Sequence, residues 1–236
     1  MEGESSEVTN VIVAVRCRPI SDREKNEGQA ECVSFPSDQQ VTLTDQKGES
    51  YTYAFDLVFN PATPQDHIFE HLGHPLIDKA FAGYNSTIFA YGQTGSGKTH
   101  TMLNHRGSPA DRGLIPRISH SLFDRIQTLT DEHETRRFLV CCSFLEIYNE
   151  IVYDLLVPRS KQSKVGGLDI REQKGIGVYV KDLAEVVVES PDKLNGLIEQ
   201  GFGHRSTAAT KMNDASSRSH CIFVIKLHQK DASDES

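Results

Sequence analysis

A three-layer α/β sandwich, with a mixed β-sheet flanked by helices, is the fold class the sequence predicts. Three observations point there. Short apolar runs suited to buried strands alternate with longer stretches patterned as one face of a helix. Gly92 to Thr99 reads GQTGSGKT, a full match to the phosphate-loop pattern. That loop follows a strand-like run and opens a helical one, the context in which it cradles phosphate.

Taken in order, Met1 to Thr9 is an acidic polar leader, and Asn10 to Arg18 (NVIVAVRCR) is a β-branched run closed by Pro19, expected as a central strand. Val41 to Thr44 and Tyr51 to Phe55 alternate around a turn-rich Asp45 to Ser50 and read as a hairpin or small meander at a sheet edge. Thr63, before Pro64, is the expected cap of a helix carrying Ile68, Phe69, Leu72, Leu76 and Ile77 inward, with a kink at Pro75. Gly83 stops it, and Ser86 to Tyr91 (STIFAY) reads as a second buried strand. Downstream, Pro116 begins an amphipathic helix through Ile118, Leu122, Phe123, Ile126 and Leu129, and a long strand covers Phe138 to Tyr148. After a polar connector, Lys161 to Gly167, a hairpin is expected over Leu168 to Ile170 and Val178 to Leu183, then a strand at Val186 to Val188. Ser190-Pro191-Asp192 repeats the cap-then-proline signal for a helix to about Gln200, and Cys221 to Leu227 suits a central strand. The core is thus expected over residues 10–230, with a polar tail at 231–236.

At 236 residues the chain can bury a real core, and 37% hydrophobic with 25% charged residues excludes a disordered or collagen-like class. A net charge of −8 lacks the basic footprint of a general nucleic-acid binder. No apolar run approaches the roughly 18 residues of a membrane span, and the polar start is unlike a signal peptide. Cysteines 17, 32, 141, 142 and 221 form no CxxC or Cys/His spacing, and His120, His133 and His204 are scattered, so the spacing names no metal site and favours a reducing, cytoplasmic compartment.

In the loop, Gly92, Gly95 and Gly97 allow a tight turn that brings the amides of Gln93, Thr94, Ser96 and their neighbours against phosphate oxygens, with the positive end of the next helix behind them. Lys98 reaches the terminal phosphates, and Thr99 offers a hydroxyl to Mg²⁺. The loop alone does not separate a kinase, a GTPase and a motor. A second cluster, Asn213 to His220 (NDASSRSH), places amide, hydroxyl, guanidinium and imidazole donors together, the chemistry of a loop that senses a γ-phosphate and its metal.

With both clusters in hand, the sequence resembles the kinesin motor family. The resemblance rests on RCRP at Arg16 to Pro19, GYNSTIFAYGQTGSGKTHTM at Gly83 to Met102, FLEIYNEIVYDLL at Phe144 to Leu156, and TKMNDASSRSH at Thr210 to His220, in family order across nearly the whole chain. It implies a P-loop NTPase of kinesin type, an ATP-dependent microtubule motor using ATP/ADP and Mg²⁺. Pro19 and His100 would hold the adenine, with Arg16 and Arg18 in the same block. Ser217 would contact Mg²⁺ and γ-phosphate, Ser216 and Asn213 would place the attacking water, and Arg218 would pair with a glutamate of the second switch. Location on microtubules, the spindle included, and further segments or cargo adaptors are implied in the same way.

The family's second-switch motif DLAGSE does not occur among the 236 residues, so the core reads as truncated on its C-terminal side. The expectation is nucleotide binding with weak or absent hydrolysis by this chain alone. Two alternatives remain at this stage: a catalytically inactive kinesin-fold binding module, and a small-molecule kinase, for which no lid or acceptor site is found. Arg159, Lys161, Lys164, Arg171 and Lys174 form a basic group in the segment that, by the resemblance, lies against acidic tubulin, despite the negative total charge.

Overall fold

A computed structural model describes residues 11–104, 108–162, 166–175, 177–209 and 219–231. The chain starts with β1 (Ala14–Arg16) and the short α1 (Asp22–Asn26), whose Ser21–Glu24 capping box is formed in full. An antiparallel meander follows, β2 (Val33–Ser37), β3 (Gln40–Thr44) and β4 (Ser50–Ala54), before β5 (Leu57–Phe59) returns to pair in parallel with β1. β3 and β4 match the expected hairpin.

The next helix is interrupted. α2 (Gln65–Ile68) passes through a π-helical turn, Phe69–Gly73, into α3 (His74–Phe81). Proline has no N–H to give the carbonyl four residues back, and the wider turn just before Pro75 accommodates that lost bond, so the irregularity expected at Pro75 takes the form of a π-helical turn. Thr63 does not cap this helix; the N-cap is Pro64, which has no side-chain oxygen to offer.

α4 (Lys98–Met102) follows the glycine loop, and α5 (Leu114–Glu132) is the long amphipathic helix expected from Pro116 onward. β6 (Arg136–Tyr148) turns into β7 (Ile151–Asp154) through Asn149 and Glu150, both at positive φ, as a two-residue hairpin turn requires. β8 (Ile170–Gln173) and β9 (Gly177–Val180) make a hairpin, and β10 (Val186–Val188) leads to α6 (Pro191–Ala209). Ser190 caps α6 as expected, its Oγ accepting from the Lys193 amide at 3.2 Å, but the helix runs beyond Gln200. β11 (Ser219–Asp231) closes the described chain.

β6 is the central element, flanked by β10 on one side and β11 on the other, both antiparallel. Its Val140, Cys142 and Phe144 side chains turn toward α5 and α6, burying Leu122, Val188, Leu194 and Ile198 with them. Burial raises the Cys142 and Cys221 thiols to about 11, so both stay protonated at neutral pH. A second cluster, Phe59, Ile68, Phe69, Ile77 and Leu114, joins β5, α2, α3 and α5. The opposite face of β6 and β10 is open at Leu139 and Val187.

Two expectations fail here. Ser86 to Tyr91 is not a strand, and Phe89 and Tyr91 are 78% and 90% exposed. Val11 to Val13 are likewise outside β1 and exposed rather than central and buried. The cause is shared. A β-strand exists only through a neighbour that takes its backbone hydrogen bonds. Among the described residues the pairing splits into β1–β5, β10–β6–β11 with β7, and two smaller sheets, none of which includes STIFAY.

Candidate nucleotide site

Gly92, Gly95 and Gly97 all sit at positive φ, so the backbone curls in a way other residues resist. At Gly92 space is tight as well, because an added Cβ would lie 2.5 Å from Ser96 Oγ. Gly97 is the left-handed N-cap of α4 and supplies no side-chain cap, leaving the first helical amides to an outside acceptor. Lys98 Nζ folds back to donate to the Gly92 and Gln93 carbonyls at 2.6 and 2.9 Å. A half-buried ammonium beside uncapped amides offers the charge and the donors that suit an anion.

The RCRP segment runs past this loop. Arg16 donates to Gln65 Oε1 at 2.8 Å and to Thr101 Oγ1 at 2.9 Å, joining β1, α2 and α4. Gln65, 4% exposed, donates in turn to the His100 and Asp111 carbonyls. Arg16 is therefore a brace for the helix behind the loop. Arg18, whose Cβ lies 4.0 Å from where a Gly97 Cβ would stand, forms a fork to Glu24 at 2.5 and 2.7 Å. That contact holds the Glu24 carboxyl well below the ordinary carboxylate range. Partial burial, then the Arg16 charge, lowers the His100 pKa, so its ring is neutral near pH 7 and suited to lie against an aromatic base. Thr99, exposed on the first turn of α4, carries a hydroxyl, a hard oxygen donor of the kind Mg²⁺ prefers.

Asn213, Ser216, Ser217 and Arg218 lie outside the described residues, as does Lys164. The described residues on either side of that stretch include Arg205 and Ser219, which meet at Glu146, a residue not singled out from the sequence. Glu146, on β6 and 4% exposed, accepts from Arg205 Nε on α6 at 2.9 Å and from Ser219 Oγ on β11 at 2.6 Å. Arg205 also donates to Ser219 Oγ at 2.8 Å. Arg159 reaches the other Glu146 oxygen at 3.4 Å, with its guanidinium 3.4 Å from the Tyr153 ring centroid. A carboxylate inside the apolar run FLEIY was the available signal, since such a residue is seldom buried unpaired. Of the remaining basic candidates, Lys161 and Lys174 are exposed, and Arg171 pairs with Asp169 at 3.1 Å.

A glycine loop in this conformation, at the head of a helix in an α/β frame, defines a P-loop protein. The chain belongs to the kinesin motor domain family, whose model matches residues 16–236. It is 42% identical over 229 residues to kinesin-like protein KIN-12G of Oryza sativa subsp. japonica, covering 94% of this chain and 18% of that protein. It is 41% identical over 220 residues to kinesin-like protein klp-20 of Caenorhabditis elegans, covering 92% of this chain and 33% of that one. The solved structure described as that of a fast kinesin superposes with a TM-score of 0.86 at 37% identity, covering 96% of this chain and 62% of the other. The chain thus spans between about a fifth and a third of the curated relatives it matches.

Proposed function

We propose that this chain is the nucleotide-binding part of an ATP-driven microtubule motor. The observation that carries the reading is the loop itself: three positive-φ glycines, an uncapped helix start and the Lys98 ammonium held among them. In this reading the loop amides and Lys98 hold the β- and γ-phosphates, and the helix dipole of α4 adds to the same attraction. Thr99, with Ser217, would hold Mg²⁺, which neutralises phosphate charge when bound. His100 and Pro19 position the adenine, and Arg16, through Gln65 and Thr101, fixes the helix that carries Thr99 and His100. Asn213, Ser216, Ser217 and Arg218 supply the γ-phosphate sensor. The similarity to a fast kinesin whose solved structure is described in terms of its ATPase mechanism and its interactions with microtubules supports the same assignment.

Mg²⁺–ADP titration by calorimetry, with thermal unfolding in parallel, tests the nucleotide half. A ligand at a hundredfold excess over Kd stabilises the folded chain by about 2.7 kcal/mol, and Lys98→Ala should remove that gain. Binding unchanged in Lys98→Ala would refute the loop as the site. For the track, Lys161, Arg171 and Lys174 offer exposed positive charge to acidic tubulin, while Arg159 is committed to Glu146. The double reversal Arg171→Glu/Lys174→Glu should weaken microtubule co-sedimentation several-fold at low salt and little at high salt. Equal pelleting at low salt would take this hairpin off the interface.

A further inference from the structure

On the face of the sheet opposite α5 and α6, three strands bring together three metal-ligating side chains. Cys141 sits mid-way along β6, paired to Val187 of β10 and to Lys226 of β11. Glu185 leads into β10 two positions before Val187, and His228 lies on β11 two positions beyond Lys226. Both are therefore diagonal neighbours of Cys141 on its own face, on opposite sides of it. The Cys141 Sγ, a Glu185 carboxylate oxygen and a His228 ring nitrogen all lie within 4.8 Å of one another. No short sequence motif announces this, since the three residues are spread over the chain and only the register of β10–β6–β11 aligns them.

The place already holds a cation. Cys141 is 4% exposed although Leu139, next on the same face, is 45% exposed. The Lys226 ammonium pairs with Glu185 beside the thiol, with side chains that are 49% and 38% exposed. An ion pair this exposed contributes little, so a better cation can displace it. The donor set selects which. A thiolate, an imidazole and a carboxylate suit a borderline-soft ion of tetrahedral preference and not Mg²⁺ or Ca²⁺, which take oxygen alone.

We propose that Cys141, Glu185 and His228 form a Zn²⁺ site that ties β10 and β11 to β6, with water in the fourth position. Tetrahedral ligand atoms at Zn²⁺ stand about 3.5 Å apart, so rotation of the Glu185 and His228 side chains by about 1 Å closes the site. Cys141 and His228 are held in paired strands and Glu185 directly precedes β10, so side-chain rotation supplies the movement.

Cobalt(II) is the probe, because a cobalt–thiolate bond absorbs in the near ultraviolet. The full chain, free of any histidine tag and saturated with Mg²⁺–ADP, is titrated with Co²⁺. The expected result is a thiolate-to-cobalt band that saturates at one metal per chain and is bleached by Zn²⁺. Cys141→Ser should abolish the band, while His228→Ala and Glu185→Gln should each weaken binding by about tenfold or more. Lys226→Met, which removes the competing ammonium, should strengthen it. Absence of the band, its survival in Cys141→Ser, or its indifference to both His228→Ala and Glu185→Gln would overturn the proposal. Should Cys141→Ser fold poorly, the exposed His228 and Lys226 variants decide alone, through their opposite effects on affinity.

Discussion

Glu146→Ala is expected to lower stability by about 3–5 kcal/mol, the usual cost of removing one partner of a buried ion pair. The carboxylate is 5% exposed as a side chain and Arg205 17%, so solvent cannot readily replace the lost charge. Arg205, Arg159 and the Ser219 hydroxyl all lose the acceptor they share. For a chain of this size, 1 kcal/mol corresponds to about 2–4 °C, so thermal unfolding should fall by roughly 6–20 °C. Glu146→Gln keeps the shape and one acceptor oxygen and should cost clearly less. The functional effect separates this from simple loosening. In the proposed reading residues 213–218 sense the γ-phosphate; Arg205 is on α6 before that stretch and Ser219 on β11 after it, so Glu146 pins its two ends together. Glu146→Gln should therefore weaken binding of an ATP analogue more than binding of ADP, because only the former carries the phosphate that the loop reads. Equal losses for both nucleotides would reduce Glu146 to a packing role.

Gly113→Ala is expected to destabilise by about 3 kcal/mol, at the upper end of overpacking costs, through a purely steric route. Gly113 has φ −73° and ψ −174°, which any residue adopts, so backbone strain plays no part. An added Cβ would stand 2.5 Å from Leu103 N and 2.6 Å from Met102 C, and backbone atoms cannot step aside as a flexible side chain would. Relief requires α4 to move from α5, breaking the bond from Gly113 N to Leu103 O at 2.9 Å and opening the packing of Leu103 and Leu114. Because α4 begins at Lys98, the same shift disturbs the phosphate loop. Thermal unfolding and ADP affinity measured together should both fall; a variant with wild-type stability would show that the two helices are not held this closely.

The glycine loop was legible because its chemistry is local: eight consecutive residues contain the turn, the charge and the hydroxyl. β6 and β11 were legible as strands because long apolar runs announce themselves whatever they pair with, but β11, expected to be central, ends the order β10–β6–β11 among the described residues. STIFAY has the same character, yet its ladder depends on neighbours that no local pattern supplies, and there the reading failed. Arg16 shows the opposite case. Its block was readable, but its bonds to Gln65 and Thr101 depend on where a distant helix starts. The capping box of α1, Ser21 to Glu24, stood in the sequence as S-x-x-E and went unread. Glu146 could have been suspected from its apolar surroundings, but its partners could not, since one lies on a helix and another on a strand far along the chain.

The β6–β11 pairing has a consequence for how the chain is made. Glu146 and Ser219 stand 73 positions apart, so their contact closes a large loop and belongs to the slow class of folding events. At translation rates of about 5–20 residues per second, β6 waits roughly 4–15 s on the ribosome before its partner has even been synthesised. Throughout that interval one long edge of β6, apolar and unpaired, offers its backbone to any passing strand. The nascent chain is therefore vulnerable between the synthesis of β6 and that of β11, and the arrival of Ser219–Asp231 ends that exposure by covering the edge along its whole length.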